Sequence, residues 1–178
     1  TLHVDTGNIS GGEEIPSRLF VSYADLINLY WDYFLHNDLN NPRKRIFHYG
    51  LICDYTEGPG FAVVGWDSLN SFVIGAQFLG EKYPHYRRDW LAMTSAMHET
   101  GHTFGLIATK HTGIDNQMTM KPFYKEFWLY CKYTSLLNYV YTFAMMDFSD
   151  GSHGRGDFND WDRLEFSCFK NTNFSYPQ

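Results

Sequence analysis

Trp90-Leu91-Ala92-Met93-Thr94-Ser95-Ala96-Met97-His98-Glu99-Thr100-Gly101-His102-Thr103-Phe104-Gly105 is the stretch on which the reading of this chain turns. Met93, Met97 and Phe104 fall near one face of a 3.6-residue period, which predicts a helix over 90–104. Asp89 is placed to cap its start and Gly105 to supply a left-handed stop. Inside this helix lies an H-E-x-x-H. Spacing of i and i+4 sets the imidazoles of His98 and His102 on one face, one turn apart, where they can hold a single Zn²⁺ at ~2.0–2.1 Å. Glu99 projects at another angle. That keeps it out of the ligand set but beside a metal-activated water, as a general base requires. A metal here would bring the pKa of that water toward ~7 and polarise a scissile carbonyl.

Upstream, Ser22 reads as an N-cap. Leu26, Ile27, Tyr30, Trp31 and Phe34 follow at helical spacing and predict an aromatic-faced helix over Tyr23–Asp38, ended by Asn40-Asn41-Pro42. Ile46–Cys53 and Phe61–Trp66 are β-rich runs parted by the turn Glu57-Gly58-Pro59-Gly60, and Phe72–Gly75 adds a short strand. Leu2-His3-Val4 is a further strand candidate before a turn at Gly11-Gly12. Downstream, Leu106–Lys125 has little periodicity and reads as a long loop, of the sort that in a compact domain is usually functional or tied down. An aromatic-rich segment, Phe127–Phe143, a Gly/Asp-rich loop, Asp147–Asp157, and a helix candidate, Asp160–Phe169, complete the chain. Strands first and helices later, without βαβ alternation, predict an α+β fold.

The 178 residues suit one domain, 1–178, and 44% hydrophobic against 19% charged residues argues for a packed core rather than disorder. A formal charge of −6 repels a phosphate backbone, so nucleic acid is a poor partner. The basic clusters Arg43-Lys44-Arg45 and Arg87-Arg88 read as solvated turns. No run approaches the ~18 apolar residues of a membrane span. Cys53, Cys131 and Cys168 form neither a disulfide framework nor a thiolate zinc knuckle; they read as small packed thiols, with one pair such as Cys131–Cys168 open to them in an oxidising compartment.

His98-Glu99-Thr100-Gly101-His102-Thr103-Phe104-Gly105 resembles the first eight positions of the metzincin signature H-E-x-x-H-x-x-G-x-x-H/D. Ser135-Leu136-Leu137-Asn138-Tyr139 is similar to the S-x-M-x-Y Met-turn that floors the metal in that family. The resemblance implies a mixed β-sheet with a backing helix at Tyr23–Asp38, an active-site helix, and a C-terminal helix at Asp160–Phe169. It implies an edge strand at Phe61–Trp66 that pairs with an extended substrate, for which an ordinary core strand is the equal alternative. It also lets Tyr139 approach the metal or the oxyanion, although the chain has 13 tyrosines and packing is the commoner use.

The chain departs from the signature twice. Leu137 replaces the Met of the turn, a near-isosteric change that usually costs less than about 1.5 kcal/mol. Ala108 stands where the third ligand belongs, and Ala cannot bind metal, while a catalytic zinc site normally has three protein ligands and an open position. His111 is the first replacement candidate, because imidazole is a good zinc ligand and a longer loop can return it under the helix. Asp115 is the second, with an Asx-turn as its structural alternative. Glu126 is the third, in the manner of gluzincins.

The expected activity is that of a zinc endopeptidase acting on peptide or protein substrates, with Glu99 as base, Tyr139 as oxyanion helper, and metal at His98, His102 and His111 or Asp115. The alternatives are a weak or inactive zinc-binding domain that binds peptide partners, and a gluzincin-type protease using Glu126. Asp147, Asp150, Asp157 and Asp160 surround Gly151, Gly154 and Gly156 and offer hard oxygens to Ca²⁺, or else cap turns. A secreted or cell-surface setting is favoured over a cytoplasmic one.

Overall fold

Ser22 starts the first helix. In the computed structural model, which describes residues 18–45, 47–64 and 70–166, its hydroxyl accepts from the Asp25 amide at 3.2 Å while the Asp25 carboxylate accepts from the Ser22 amide at 3.0 Å. This reciprocal box satisfies donors that the first turn of α1 (Tyr23–Leu29) would otherwise leave bare. Leu26 and Leu29 bury one face. The helix then widens into a π-helical turn over Tyr30–Phe34, where the rings of Tyr30, Phe34 and Tyr49 crowd together at 5.0–5.9 Å. Helical structure ends at Phe34 instead of running to Asp38, because His36 and Asn37 turn left-handed (φ 52° and 58°) before the Asn-Pro stop is reached. Ser22→Ala is expected to lower the urea midpoint by the equivalent of about 1 kcal/mol without changing the m-value.

The strand expected over Ile46–Cys53 forms only over Tyr49–Cys53, the one expected over Phe61–Trp66 forms over Gly60–Val63 among the described residues, and Phe72–Gly75 extends back to Ser71. β1 (Phe20–Val21) pairs in parallel with β3 (Tyr55–Thr56), and a three-stranded mixed sheet has the order β2 (Tyr49–Cys53), β5 (Ser71–Gly75), β4 (Gly60–Val63). β2 runs parallel to β5 from Tyr49↔Ser71 to Cys53↔Gly75, and β4 runs antiparallel along its other side, from Gly60↔Ile74 to Val63↔Ser71. β4 is therefore an edge strand. Side chains alternate across a strand, so the central strand serves two cores. Val73 joins Val21, Leu26, Leu29 and Val63 against α1, and Ile74 joins Leu79 and Leu91 on the other side. The latter two come from α2 (Ala76–Lys82), which the sequence did not announce, and α3 (Arg88–Thr103), which it did.

Asp89 lies one residue inside α3 rather than capping it. Arg87 is the N-cap, with no side-chain cap bond, and the Asp89 carboxylate accepts from the Trp90 amide at 2.9 Å, where an anion suits the helix dipole. A third cluster gathers Leu106, Ile114, Tyr130, Tyr133, Leu136, Leu137 and Phe148 beneath the far end of α3, including Tyr130 from the short α4 (Lys125–Tyr130). The helix expected from Asp160 reduces to a 3₁₀ turn at Trp161–Arg163: Leu164 is extended (ψ 133°) and 164–166 are not helical. The turn Arg43-Lys44-Arg45 forms, but Lys44 is buried rather than solvated.

Leu2–Val4, Gly11-Gly12, Ile46, Trp66, Cys168 and Phe169 lie outside the described residues. Cys53 and Cys131 are unbonded thiols, and Cys53 is half-buried on β2 with its Sγ 3.1 Å from the Tyr55 carbonyl. No helix among the described residues is long and apolar enough to cross a membrane. The architecture is α+β, with a small mixed sheet backed by α1 and faced by α3.

Candidate metal centre

Gly105 ends α3 in a way that prepares a ligand. It takes φ +82°, and the chain closes a Schellman turn: the Gly105 amide donates to the His102 carbonyl at 2.8 Å and the Leu106 amide to Gly101 at 3.0 Å. The reversal brings the Leu106 carbonyl 2.7 Å from Nδ1 of His102. A carbonyl only accepts, so Nδ1 carries a proton and Nε2 is the nitrogen turned toward the Asp115 side. His98 is set the same way by another segment. Its Nδ1 donates at 2.9 Å to the carbonyl of Leu136, in the Ser135–Tyr139 turn.

That turn is buried and hydrogen-bonded from within. Ser135, Leu136, Leu137 and Asn138 have no exposed surface, the Asn138 amide donates to the carbonyls of Tyr130 and Tyr133, and Leu137 packs toward Gly101.

Asp115 closes the site. Ile114 is anchored in the lower core, the Asp115 amide donates to the Leu137 carbonyl at 3.1 Å, and Asn116 caps the following 3₁₀ turn. Between these anchors Asp115 is held left-handed (φ 53°), an uncommon conformation for a residue with a side chain. Its Oδ1 lies 3.0 Å from Nε2 of His98 and its Oδ2 3.2 Å from Nε2 of His102. The imidazoles stand 4.7 Å apart at 89°. Two imidazole nitrogens and a carboxylate thus converge, an arrangement that needs protons on the nitrogens or a cation at its centre.

The electrostatics record that need. Burial alone would push the Asp115 carboxyl up, but hydrogen bonds from His102 and His98 hold it well below the usual carboxylate range. Burial likewise opposes the charged form of His102, and the Asp115 bond, with the charges of Asp115 and Glu99, lifts it to about 9. Two imidazole nitrogens and one carboxylate are a donor set that suits Zn²⁺, leaving a position open. The side chain of Asp115 is 28% exposed against 7% and 11% for the histidines, so the opening is on its side.

Glu99 is buried, and its Oε2 has no hydrogen-bond partner. Burial raises its carboxyl pKa, partly offset by the nearby histidines. The first residue of β4 sits against it. A Cβ at Gly60 would come 2.9 Å from the Val73 carbonyl and 3.1 Å from Oε1 of Glu99, so only glycine lets the edge strand approach this closely. Tyr139 stacks on His98 with ring centroids 6.0 Å apart at 16°. Burial and then the charges of Asp115 and Glu99 raise its phenol pKa, which keeps the O–H a donor at neutral pH.

The other candidates lie elsewhere. His111 is stacked on Phe158 at 4.5 Å and 8°, with the edges of Tyr130 and Tyr133 around it; burial lowers its pKa, and it packs in the lower core rather than joining the cluster. His111 does not meet His98 and His102; Asp115, the second candidate of the sequence, does. Glu126 lies in the first turn of α4, 4.0 Å from Lys125, outside the histidine group. In the Gly/Asp loop, Asp157 accepts from Ser149, Phe158 and His153, while Asp160 accepts from Tyr133 and the Ser149 amide. These carboxylates brace turns, and Asp150, His153 and Asp157 also bring ligand atoms within 4.8 Å of one another, a second group able to hold a cation. The role of Gly60 was missed by sequence reading; its only signal was its place at the end of the Glu57–Gly60 turn.

Comparison of the chain with protein-family models, with curated proteins and with solved structures gives no match.

Proposed function

We propose that the protein is a metzincin-like zinc endopeptidase. The observation that carries this is the convergence of His98 Nε2, His102 Nε2 and the Asp115 carboxylate beside a buried Glu99 carboxylate with a partnerless oxygen. His98, His102 and Asp115 would hold Zn²⁺. When bound, the ion supplies Lewis acidity to the scissile carbonyl and acidity to a water.

The residues of the chain do the rest. β4 offers an edge on which an extended peptide can lie antiparallel, with backbone hydrogen bonds for affinity. Glu99 takes a proton from the attacking water as its oxygen bonds to the peptide carbon, and returns it to the nitrogen as the C–N bond breaks. A pKa raised by burial suits both halves of that transfer. Tyr139 donates its phenol proton in a hydrogen bond to the developing oxyanion. Because Asp115 supplies a ligand, Ala108 no longer argues for an inactive domain.

The test is casein cleavage by the purified chain, with metal content measured alongside. One zinc per chain, loss of cleavage on chelation and its return on adding Zn²⁺ are expected; cleavage by metal-free protein would sink the reading.

A further inference from the structure

We infer that residues 118–132 form a surface that docks on an anionic lipid membrane. This segment holds the strongest concentration of exposed apolar side chains on the described molecule: Phe123 is 96% exposed and Trp128 68%, with Met120, Tyr124 and Leu129 exposed beside them. Side chains of this size in water contribute little to the fold, and together they exceed the scattered exposure normal for a monomer surface.

The patch is also shaped. The Tyr124 amide donates to the Lys121 carbonyl at 3.0 Å, closing a tight turn that puts Phe123 at its tip. The Trp128 indole donates to the Pro122 carbonyl at 3.0 Å and meets the Phe127 ring edge-on at 5.1 Å, so the Trp is fixed beside that tip. The result is a preformed wedge of two large rings that needs little ordering to insert.

Charge selects the occupant. The chain carries a formal −6, yet this segment has Lys121, Lys125 and Lys132 against only Glu126. Lys125 is 87% exposed, Lys132 is exposed, and Lys121 lies over the Tyr124 ring at 5.6 Å. Aromatic rings at headgroup depth, flanked by lysines reaching anionic headgroups, are the usual chemistry of peripheral anchoring. A second copy of this acidic chain would meet the same lysines with its own lysines across a two-fold contact, which disfavours self-association through this face.

The experiment is flotation of the full chain with phosphatidylcholine vesicles, with and without phosphatidylserine, at low and high salt. Binding only with phosphatidylserine, weakened by salt, is expected. Phe123→Ser should weaken it at least tenfold, and Lys121→Glu with Lys125→Glu by about 5-fold for each lysine removed. Circular dichroism of each variant separates loss of binding from loss of fold, and a blue shift of tryptophan emission on binding, absent in Trp128→Phe, places the indole in the lipid. No binding at low salt, or binding that ignores both variants, would overturn the inference. So would a concentration-dependent dimer in sedimentation velocity that Phe123→Ser abolishes, because the patch would then belong to a second copy.

Discussion

Glu99→Gln is expected to cut kcat by about 10²–10⁴-fold while zinc stoichiometry stays at the native value. Glu99 touches neither backbone carbonyl that orients the histidines and is not among the groups converging on the metal position. The amide is isosteric, so the packing of Gly60 and β4 against it survives. What disappears is a carboxylate that burial has made a better proton acceptor and that has an oxygen without a competing donor. The measurement is steady-state turnover of a quenched peptide joined to metal analysis of the same sample. Turnover near native in a zinc-loaded variant would remove Glu99 from the mechanism.

Asp115→Ala carries the second large effect. It deletes one of the three converging ligands and leaves two imidazoles, so zinc affinity should fall by more than the 10–100-fold typical of losing a supporting hydrogen bond, and cleavage should fall with it. His111→Ala is the matched control. Its ring fills an aromatic cage, so that variant should lose about 1–3 kcal/mol of stability yet bind zinc with native affinity. Competition with a chromogenic chelator reads affinity and urea unfolding reads stability. If the two variants exchange behaviour, the assignment of the third ligand is reversed.

The contrast between these two residues shows how far the sequence could be read. His98, Glu99 and His102 are legible because helical periodicity converts their spacing directly into geometry. Asp115 was legible only as a candidate. Its position depends on a left-handed backbone and on an amide bond to Leu137, twenty-two residues away in the chain, and no local period encodes either. His111 attracted the first choice through the chemistry of imidazole, whereas the rings of Tyr130, Tyr133 and Phe158 that claim it come from distant segments. The edge position of β4 needed the pairing of β5 with both neighbours. The caps of α1 and α2 differ similarly: Ser22 acts within one turn and could be read, while α2 follows Gly75 without a side-chain cap and left no signal.

Both histidines are oriented by backbone carbonyls rather than by carboxylates, and the two carbonyls belong to segments thirty residues apart. Side-chain substitution cannot delete either acceptor. The tautomers of the centre are therefore tied to whether the Schellman turn and the Ser135–Tyr139 turn are folded, and an ion bound there draws on the same free energy that docks those two turns on α3. By linkage, a free metal concentration a thousandfold above its dissociation constant would add about 4 kcal/mol to that docking. In a chain whose described cysteines are unbonded, the ion would then govern how long the lower half survives unfolding and proteolysis, a role in protein lifetime separate from its part in any reaction.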